Sequence, residues 1–132
     1  MRMTAPFRTL VALMVLVLLR GTMITTAHAQ QKPHYSQQTG ESLYQGLCQG
    51  CHMPDAQGAV GAGSYPALAK NARLLGISYP ISVVLRGQRA MPPFADSLSD
   101  DQIANVLNYV RTHFGNHYRD AVSAGAVREA RQ

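Results

Sequence analysis

The sequence contains few of the residues that build large hydrophobic cores and wide binding surfaces. Its 132 residues include no tryptophan, only 7% aromatic residues, 14% charged residues and two cysteines. No run alternates polar and apolar residues well enough to predict a strand, and no internal repeat is found. Lysine and arginine form no cluster long enough to follow a phosphate backbone, so nucleic-acid binding is excluded as a function.

The N-terminal segment has the pattern of a secretory signal peptide. Two arginines and no acid precede the ten apolar residues 10–19, and a small-residue cleavage pattern ends at Ala29. Arg20 argues against a permanent anchor, because a spanning helix needs about 20 mostly apolar residues. We therefore expect residues 1–29 to be a signal peptide and the rest to be periplasmic, with an uncleaved membrane tether as the alternative.

Without residues 1–29 the chain is short and almost neutral. Nine basic residues remain against seven acidic ones, so the formal charge falls from +5 to +2. The remaining 103 residues are enough for one small domain. The polar stretch 30–38 predicts a flexible lead-in. Residues 117–132 predict a disordered tail, with a weak helix as the alternative.

Three helices are predicted in the domain 39–116. The first begins at Thr39 or Gly40 and runs to the cysteines, and the second covers about 80–86 and stops at a glycine. Two stretches rich in glycine and proline, 55–71 and 87–98, are predicted to be loops. The fold class is therefore all-α. Because apolar side chains are sparse, the domain needs a non-protein core or a covalent cross-link to be stable.

The third helix has the clearest sequence pattern. Ser99 and Gln102 form a capping-box pattern, and two aspartates occupy the first turn. Apolar residues then repeat at helical spacing up to Phe114, and Gly115 is the predicted stop.

CQGCH, residues 48–52, is the most specific motif and contains both cysteines of the chain. Two thiols at this spacing form thioethers to the two vinyl groups of one porphyrin, and the following His52 reaches the iron from the same side. The pattern is that of c-type haem attachment, and a covalent haem supplies the missing core. We therefore predict one haem c, held by Cys48, Cys51 and His52.

Other uses of the two cysteines fit less well. A disulfide between Cys48 and Cys51 closes too short a loop to restrain the unfolded chain much. A thioredoxin-type dithiol expects a preceding strand, and a zinc site lacks a second cysteine pair. A haem-free thiol protein stays open as an alternative.

Two methionines follow the leader, and chain geometry separates them as iron ligands. The Cα atom of Met53 lies about 3.8 Å from that of His52, whereas the second axial ligand must approach the opposite face of the porphyrin. Met91, followed by two prolines, is therefore the predicted ligand, since His/Met ligation is a standard cytochrome c pair. Met91 as core filler is the alternative. The rival ligands are His34, His113 and His117.

The domain resembles the class I c-type cytochromes. That family's first helix and haem motif are similar to GESLYQGLCQGCH, its proline loop to SYPALAKN, and its methionine loop and terminal helix to MPPFADSLSDDQIANVLNYVRTHFGN. The last stretch is particularly similar to small cytochrome subunits of periplasmic dehydrogenases. The resemblance implies about three helices around one haem, with the first and last helices crossing. Two features depart from the family's pattern. Met53 stands where the family often has a small residue, and the segment GQRAM that leads to Met91 is short.

The resemblance also implies finer contacts. The carbonyl of Pro66 is expected to accept a hydrogen bond from His52. The residues implied for the helix crossing are Gly40, Tyr44, Leu107 and Tyr109. Separately from the resemblance, side-chain chemistry makes candidate partners for haem propionates of Tyr65, Asn71, Tyr79, Arg86 and Arg89, with a solvated or packing role as the alternative for each.

The expected function is one-electron transfer without catalysis. An iron ligated by His52 and Met91 has no free position for a substrate, and this ligation raises its reduction potential. The resemblance implies an exported dehydrogenase as donor and a terminal oxidase or another cytochrome as acceptor. Membrane association is expected only through an uncleaved leader or a partner. The alternative is a haem protein that binds ligands or catalyses, in which Met91 does not occupy the iron.

Overall fold

The structure is a computed structural model that describes residues 35–61 and 63–132. The helices and strands, in chain order, are α1 (Gly40–Leu43), a π-helix (Tyr44–Cys48), α2 (Gln49–His52), β1 (Ala59–Val60), β2 (Ser64–Tyr65), a 3-10 helix (Ala72–Leu74), α3 (Ser78–Arg86), α4 (Asp100–Thr112) and α5 (Ala124–Arg131). Helices dominate this part of the chain, as predicted. None of its helices is long and apolar enough to cross a bilayer. The leader lies outside the described residues.

The first helical segment consists of α1, the π-helix and α2 and ends at the cysteine motif. Thr39 caps it as predicted, since its hydroxyl accepts a hydrogen bond from the amide of Ser42 at 3.2 Å. The π-helix widens the turn before the motif, where the amide of Gln49 bonds the carbonyl of Tyr44. Such widened turns are rare and are frequently found at functional sites.

The first helical segment crosses α4 at very short range. A Cβ atom at Gly40 would lie 2.3 Å from the carbonyl oxygen of Asn105 and 2.6 Å from the Cβ of Tyr109, so only glycine permits this approach. The rings of Tyr44 and Tyr109 pack with centroids 5.9 Å apart. These contacts confirm the implied crossing for Gly40, Tyr44 and Tyr109, and Leu107 is buried in the core.

α4 begins as predicted and ends earlier. The hydroxyl of Ser99 accepts a hydrogen bond from the amide of Gln102, whose side chain accepts one from the amide of Ser99, which completes the capping box. The helix ends at Thr112, before Gly115, because the backbone of His113 is already extended, with φ of −115° and ψ of −178°, and Phe114 then turns left-handed with φ of 56°.

The other boundaries need two further corrections to the prediction. α3 begins at Ser78, slightly before the predicted start, and ends at Arg86, with Gly87 as its C-cap as predicted. The first glycine-rich stretch contains a small hairpin, in which Ala59 pairs with Tyr65 and Val60 with Ser64. Strands of two residues are too short for alternation to reveal them.

The tail, residues 117–132, is folded, so the prediction of disorder is wrong and the alternative of a helix is correct. The hydroxyl of Ser123 caps α5 by accepting a hydrogen bond from the amide of Ala126 at 3.1 Å, and Val127 is fully buried. Asn108 on α4 bonds both backbone groups of Val122, at 2.8 and 2.9 Å. The order of the tail therefore comes from its packing against α4.

Residues 35–38 are also held against α4, so the prediction of a flexible lead-in is wrong for this part of it. The amide nitrogen of the Gln102 side chain donates to the carbonyls of Tyr35 and Gln37 at 2.7 and 2.8 Å. The side chain of Asn105 donates to the carbonyl of Gln38 at 2.9 Å. Residues 30–34 lie outside the described residues.

Arg111 on α4 is a buried cation, with 1% of its side chain exposed. Its guanidinium donates to the carbonyls of Leu74 and Leu75 at 2.9 and 3.1 Å and to a carboxylate oxygen of Asp120 at 2.7 Å. It also lies 5.7 Å from the centre of the Tyr118 ring. A buried charge is tolerated only when it is paired and hydrogen-bonded. Arg111 therefore joins the 3-10 helix, α4 and the tail.

Candidate functional site

The cysteine motif occupies the end of the first helical segment. Cys48 is the last residue of the π-helix, and Cys51 and His52 are the last two residues of α2. Both cysteines are free thiols, with Cys51 exposed and Cys48 partly buried. Burial, and to a lesser degree the neighbouring Cys51, raises the pKa of Cys48 to about 11.

His52 is buried, with 8% exposed, and its ring is oriented by one hydrogen bond. Its Nδ1 lies 2.9 Å from the carbonyl oxygen of Pro66, which confirms the implied contact. Because a carbonyl only accepts, Nδ1 carries the proton, and Nε2 of the neutral ring carries a lone pair. Within the described residues Nε2 has no hydrogen-bond partner. Metal-ligating histidines are commonly held in this way.

The position of Pro66 depends on a turn at Gly58. The amide of Gly58 bonds the carbonyl of His52 at 3.0 Å. Its φ is 67°, and a Cβ atom there would lie 2.2 Å from the carbonyl oxygen of Tyr65. Glycine is therefore required for the chain to return beneath the imidazole. Gly58 could not be singled out beforehand, because the glycines of that loop look alike in the sequence.

Met53 ends α2 with a φ of 68°. Its carbonyl accepts a hydrogen bond from the hydroxyl of Tyr44 at 2.7 Å, so its backbone closes the helix and directs the chain into the loop. Burial, followed by the neighbouring Cys48, raises the pKa of Tyr44 to about 12.

We expect Tyr44 to make the fold sensitive to alkaline pH. Because the pKa of Tyr44 is raised from 10.0 to about 12, the folded protein keeps the phenol proton where the unfolded chain releases it. The stabilisation is full below about pH 10 and is lost as the pH rises towards 12. In Tyr44→Phe, the decrease in the free energy of unfolding at alkaline pH should be smaller by on the order of 1 kcal/mol. At pH 7 the same variant should have a free energy of unfolding about 1 kcal/mol lower, because the hydrogen bond to Met53 is lost.

Urea unfolding at pH 7 and between pH 10 and 12 measures both effects. Tyr79→Phe, at a more exposed tyrosine, is the control and should leave the alkaline loss unchanged. An identical loss in Tyr44→Phe and in the unaltered protein would contradict the prediction.

Met91 lies in a tight turn that follows α3. The amide of Gln88 bonds the carbonyl of Met91 at 3.1 Å, and the amide of Met91 bonds the carbonyl of Gln88 at 3.0 Å. Gly87 makes this turn possible, since its φ is 72° and a Cβ atom there would lie 2.5 Å from the carbonyl oxygen of Met91. Met91 itself is partly buried and packs against the hydrophobic core.

The chain after Met91 is attached to α3 by its backbone. The amide of Phe94 bonds the carbonyl of Val84 at 2.9 Å, and the amide of Ala95 bonds that of Leu85 at 3.3 Å. The methionine loop therefore has a defined conformation set by α3.

The histidines that were alternative candidates for the iron ligand lie in other surroundings. His113 stacks on Tyr109 with centroids 4.2 Å apart and bonds the carbonyl of that residue at 2.9 Å, which fits a surface role. His117 is exposed, and His34 lies outside the described residues.

In residues 35–61 and 63–132, no three His, Cys, Asp or Glu side chains converge on a metal-ion site, so the zinc alternative has no ligand set there.

Three of the proposed propionate partners already bond other protein groups. The side chain of Asn71 donates to the carbonyl of Ala67 at 2.7 Å. The hydroxyl of Tyr79 donates to the Gln88 side chain at 3.1 Å, and Arg86 donates to Ser82 at 3.1 Å. Tyr65 and Arg89 are exposed, and Arg89 has a φ of 55°.

Asn116 is a further structural residue that sequence reasoning missed. It is buried, and its side-chain amide donates to the carbonyls of Leu68 and Val110 at 2.8 Å each. Its side-chain oxygen accepts a hydrogen bond from the amide of Asn71 at 2.9 Å. Asn116 thus fastens the chain after Pro66 to α4. No local pattern marks Asn116, because its partners Leu68 and Asn71 are 48 and 45 positions away.

A comparison with protein-family models connects this arrangement to known proteins. The model described as cytochrome C oxidase, cbb3-type, subunit III matches residues 36–110, which include the cysteine motif, the Pro66 loop and Met91. The chain belongs to the cytochrome c family. This confirms the resemblance to class I c-type cytochromes. Membership makes the protein an electron carrier rather than an enzyme, and it implies haem c as the cofactor.

The relatives of this cytochrome include subunits of dehydrogenases and a cytochrome c6. The fructose dehydrogenase cytochrome subunit of Gluconobacter japonicus is 36% identical over 107 residues, covering 70% of this chain and 22% of the relative. A nicotinate dehydrogenase subunit of Pseudomonas putida is 33% identical over 105 residues, covering 70% of this chain and 8% of the relative. Cytochrome c6 of Diacronema lutheri is 35% identical over 78 residues, covering 58% of this chain and 94% of the relative.

The cytochrome therefore spans about a fifth or less of the two dehydrogenase relatives, and nearly all of the cytochrome c6.

Proposed function

We propose that the protein is an exported mono-haem c-type cytochrome that carries one electron at a time between a periplasmic dehydrogenase and a downstream respiratory acceptor. The observation that carries the proposal is the orientation of His52. The carbonyl of Pro66 engages Nδ1 and leaves Nε2 available for iron.

The motif residues fit one covalent haem. Cys48 and Cys51 lie three positions apart within one helical segment, the spacing that suits thioether bonds to the two vinyl groups of a porphyrin. The sequence contains two cysteines in total, so attachment through a cysteine pair is possible only once. The haem, when bound, supplies an iron that gains and loses one electron.

The residues that would hold the iron in this proposal are His52 and Met91. The imidazole is held by Pro66, and Met91 is held in the turn that Gly87 permits. Met53 is unsuitable because it directly follows His52 at the end of α2. With His52 and Met91 both bound to it, the iron would have no free position for a substrate, which suits electron transfer.

The donor and acceptor are proposed from the relatives and from the leader. Two relatives are named as subunits of fructose and nicotinate dehydrogenases, which supports a dehydrogenase as electron donor. A terminal oxidase or another cytochrome is the proposed acceptor. The signal-peptide pattern of residues 1–29, with cleavage after Ala29, supports a periplasmic location.

The test uses protein produced in cells with intact haem-attachment machinery. We expect the mass of the denatured chain to include one haem, and Cys48→Ser combined with Cys51→Ser to abolish this addition. A redox titration should show one reversible step of about 59 mV per tenfold change in the ratio of oxidised to reduced protein, as one electron requires. Co-purification from periplasm and membranes then identifies the donor.

Two results would contradict the proposal. A chain without covalent haem would indicate a thiol protein. Ready binding of carbon monoxide to the untreated reduced protein would indicate a ligand-binding haem protein with an open iron position.

A further inference from the structure

Arg131 on α5 contacts the chain segment that follows Met91. Its guanidinium donates one hydrogen bond to the carbonyl of Ala95 and another to the carbonyl of Leu98, the second at 2.8 Å. Both carbonyls belong to the loop between α3 and α4 that also contains Met91. Because a guanidinium is planar and presents several donors in fixed directions, it can hold two carbonyls in one arrangement.

Arg131 is itself held in place by Asp100. Its Nε donates to a carboxylate oxygen of Asp100 at 2.6 Å, and the two side chains are 26% and 19% exposed. Partial burial makes such a pair less sensitive to screening than a surface pair. Asp100 is the first residue of α4, so the guanidinium lies between the loop and the start of that helix.

Two further contacts fix α5 over the loop. Arg86, the last residue of α3, donates to the carbonyl of Ala130 at 2.9 Å. Val127 is fully buried in the core. α5 is therefore attached on one side to the helix before the methionine loop and on the other side to the loop itself.

We infer that α5 acts as a strap over the methionine loop and that Arg131 is a positioning residue for Met91. The amides of Phe94 and Ala95 attach the loop to α3. Arg131 attaches the carbonyls of Ala95 and Leu98 to α5. Loss of the guanidinium leaves two carbonyls without these donors, so the loop detaches from α3 more often and carries Met91 with it.

The consequence for iron ligation rests on the proposed function, whereas the restraint of the loop does not.

Arg128 provides a matched control. It bonds the other oxygen of Asp100 at 3.3 Å and is 70% exposed, and its hydrogen bonds among the described residues do not reach the loop. Arg128→Gln and Arg131→Gln remove the same charge from the same helix.

The experiment measures amide hydrogen exchange and the near-infrared sulfur-to-iron band of the holoprotein. In Arg131→Gln we expect the amides of Phe94 and Ala95 to exchange about tenfold faster, because opening of the loop becomes easier. The amide of Leu43, in α1, should be unaffected. In Arg131→Gln, the sulfur-to-iron band should disappear at a lower urea concentration than the helical circular dichroism signal. The control, Arg128→Gln, should match the unaltered protein in every measurement.

Arg131→Lys separates charge from geometry and replaces Arg131→Gln if that variant does not fold. Lysine keeps the charge but lacks the planar fork, so we expect Phe94 and Ala95 to exchange faster here as well. Unchanged exchange of these two amides in the folded variants would overturn the inference, as would equal acceleration at Leu43. If the unaltered ferric protein lacks the band, ligation by Met91 fails, and the exchange rates still decide whether Arg131 restrains the loop.

Discussion

Met91→Leu should lower the reduction potential by on the order of 0.1 V, within the range of about 0.8 V that axial ligands span in haem proteins. The thioether of methionine favours reduced iron and raises the potential, whereas leucine offers no ligand atom. Leucine has a similar volume, so the packing of the partly buried side chain is largely kept. We also expect loss of the sulfur-to-iron band and rapid binding of carbon monoxide to the reduced protein.

Met53→Leu is the matched control for this substitution. It makes the same chemical change at the residue directly after His52, where the backbone contact with Tyr44 is unaffected. We expect the band, the potential and the exclusion of carbon monoxide to remain as in the unaltered protein. Retention of the band in Met91→Leu, or its loss in Met53→Leu, would show that the ligand has been assigned to the wrong methionine.

Gly40→Ala should lower the free energy of unfolding by about 2 to 4 kcal/mol. The added Cβ atom would lie 2.3 Å from the backbone oxygen of Asn105 and 2.6 Å from the Cβ of Tyr109. Neither atom can rotate away, because one is backbone and the other is the first side-chain atom of a helical residue. The first helical segment and α4 must therefore separate. Urea unfolding of the holoprotein measures the loss.

Gly125→Ala tests the same substitution in the first turn of another helix. The nearest atom to its added Cβ is the Ser123 hydroxyl, at an ordinary contact distance of 3.6 Å. Because alanine favours a helix over glycine by about 1 kcal/mol, this variant should be unchanged or slightly more stable. Equal stability of Gly40→Ala and Gly125→Ala would contradict the close crossing.

The sequence allowed prediction of those features that depend on neighbouring residues. The capping box at Ser99 and Gln102, the cap at Thr39 and the stop at Gly87 are local patterns, and the structure has all three. The hydrogen bond from His52 to Pro66 was available only through resemblance to a family. It joins residues 14 positions apart, so no local pattern indicates it.

The features that were not predicted depend on contacts between distant parts of the chain. The tail was expected to be disordered because its own sequence favours helix only weakly, yet Asn108 of α4 fixes its backbone at Val122. No local sequence pattern indicates that Arg111 of α4 is buried. Its burial depends on carbonyls 36 and 37 positions away, which become partners only after the fold has formed.

The close crossing at Gly40 also constrains the order in which the chain folds. The partners of this crossing are far apart, as the bond from Asn105 to Gln38 across 67 positions illustrates. Isolated helices shorter than about 12 to 15 residues are marginal in water, so the first helical segment gains little order before α4 has been synthesised. The partial burial of Cys48 against the core therefore follows the docking of α4, whereas Cys51 remains exposed in the folded protein.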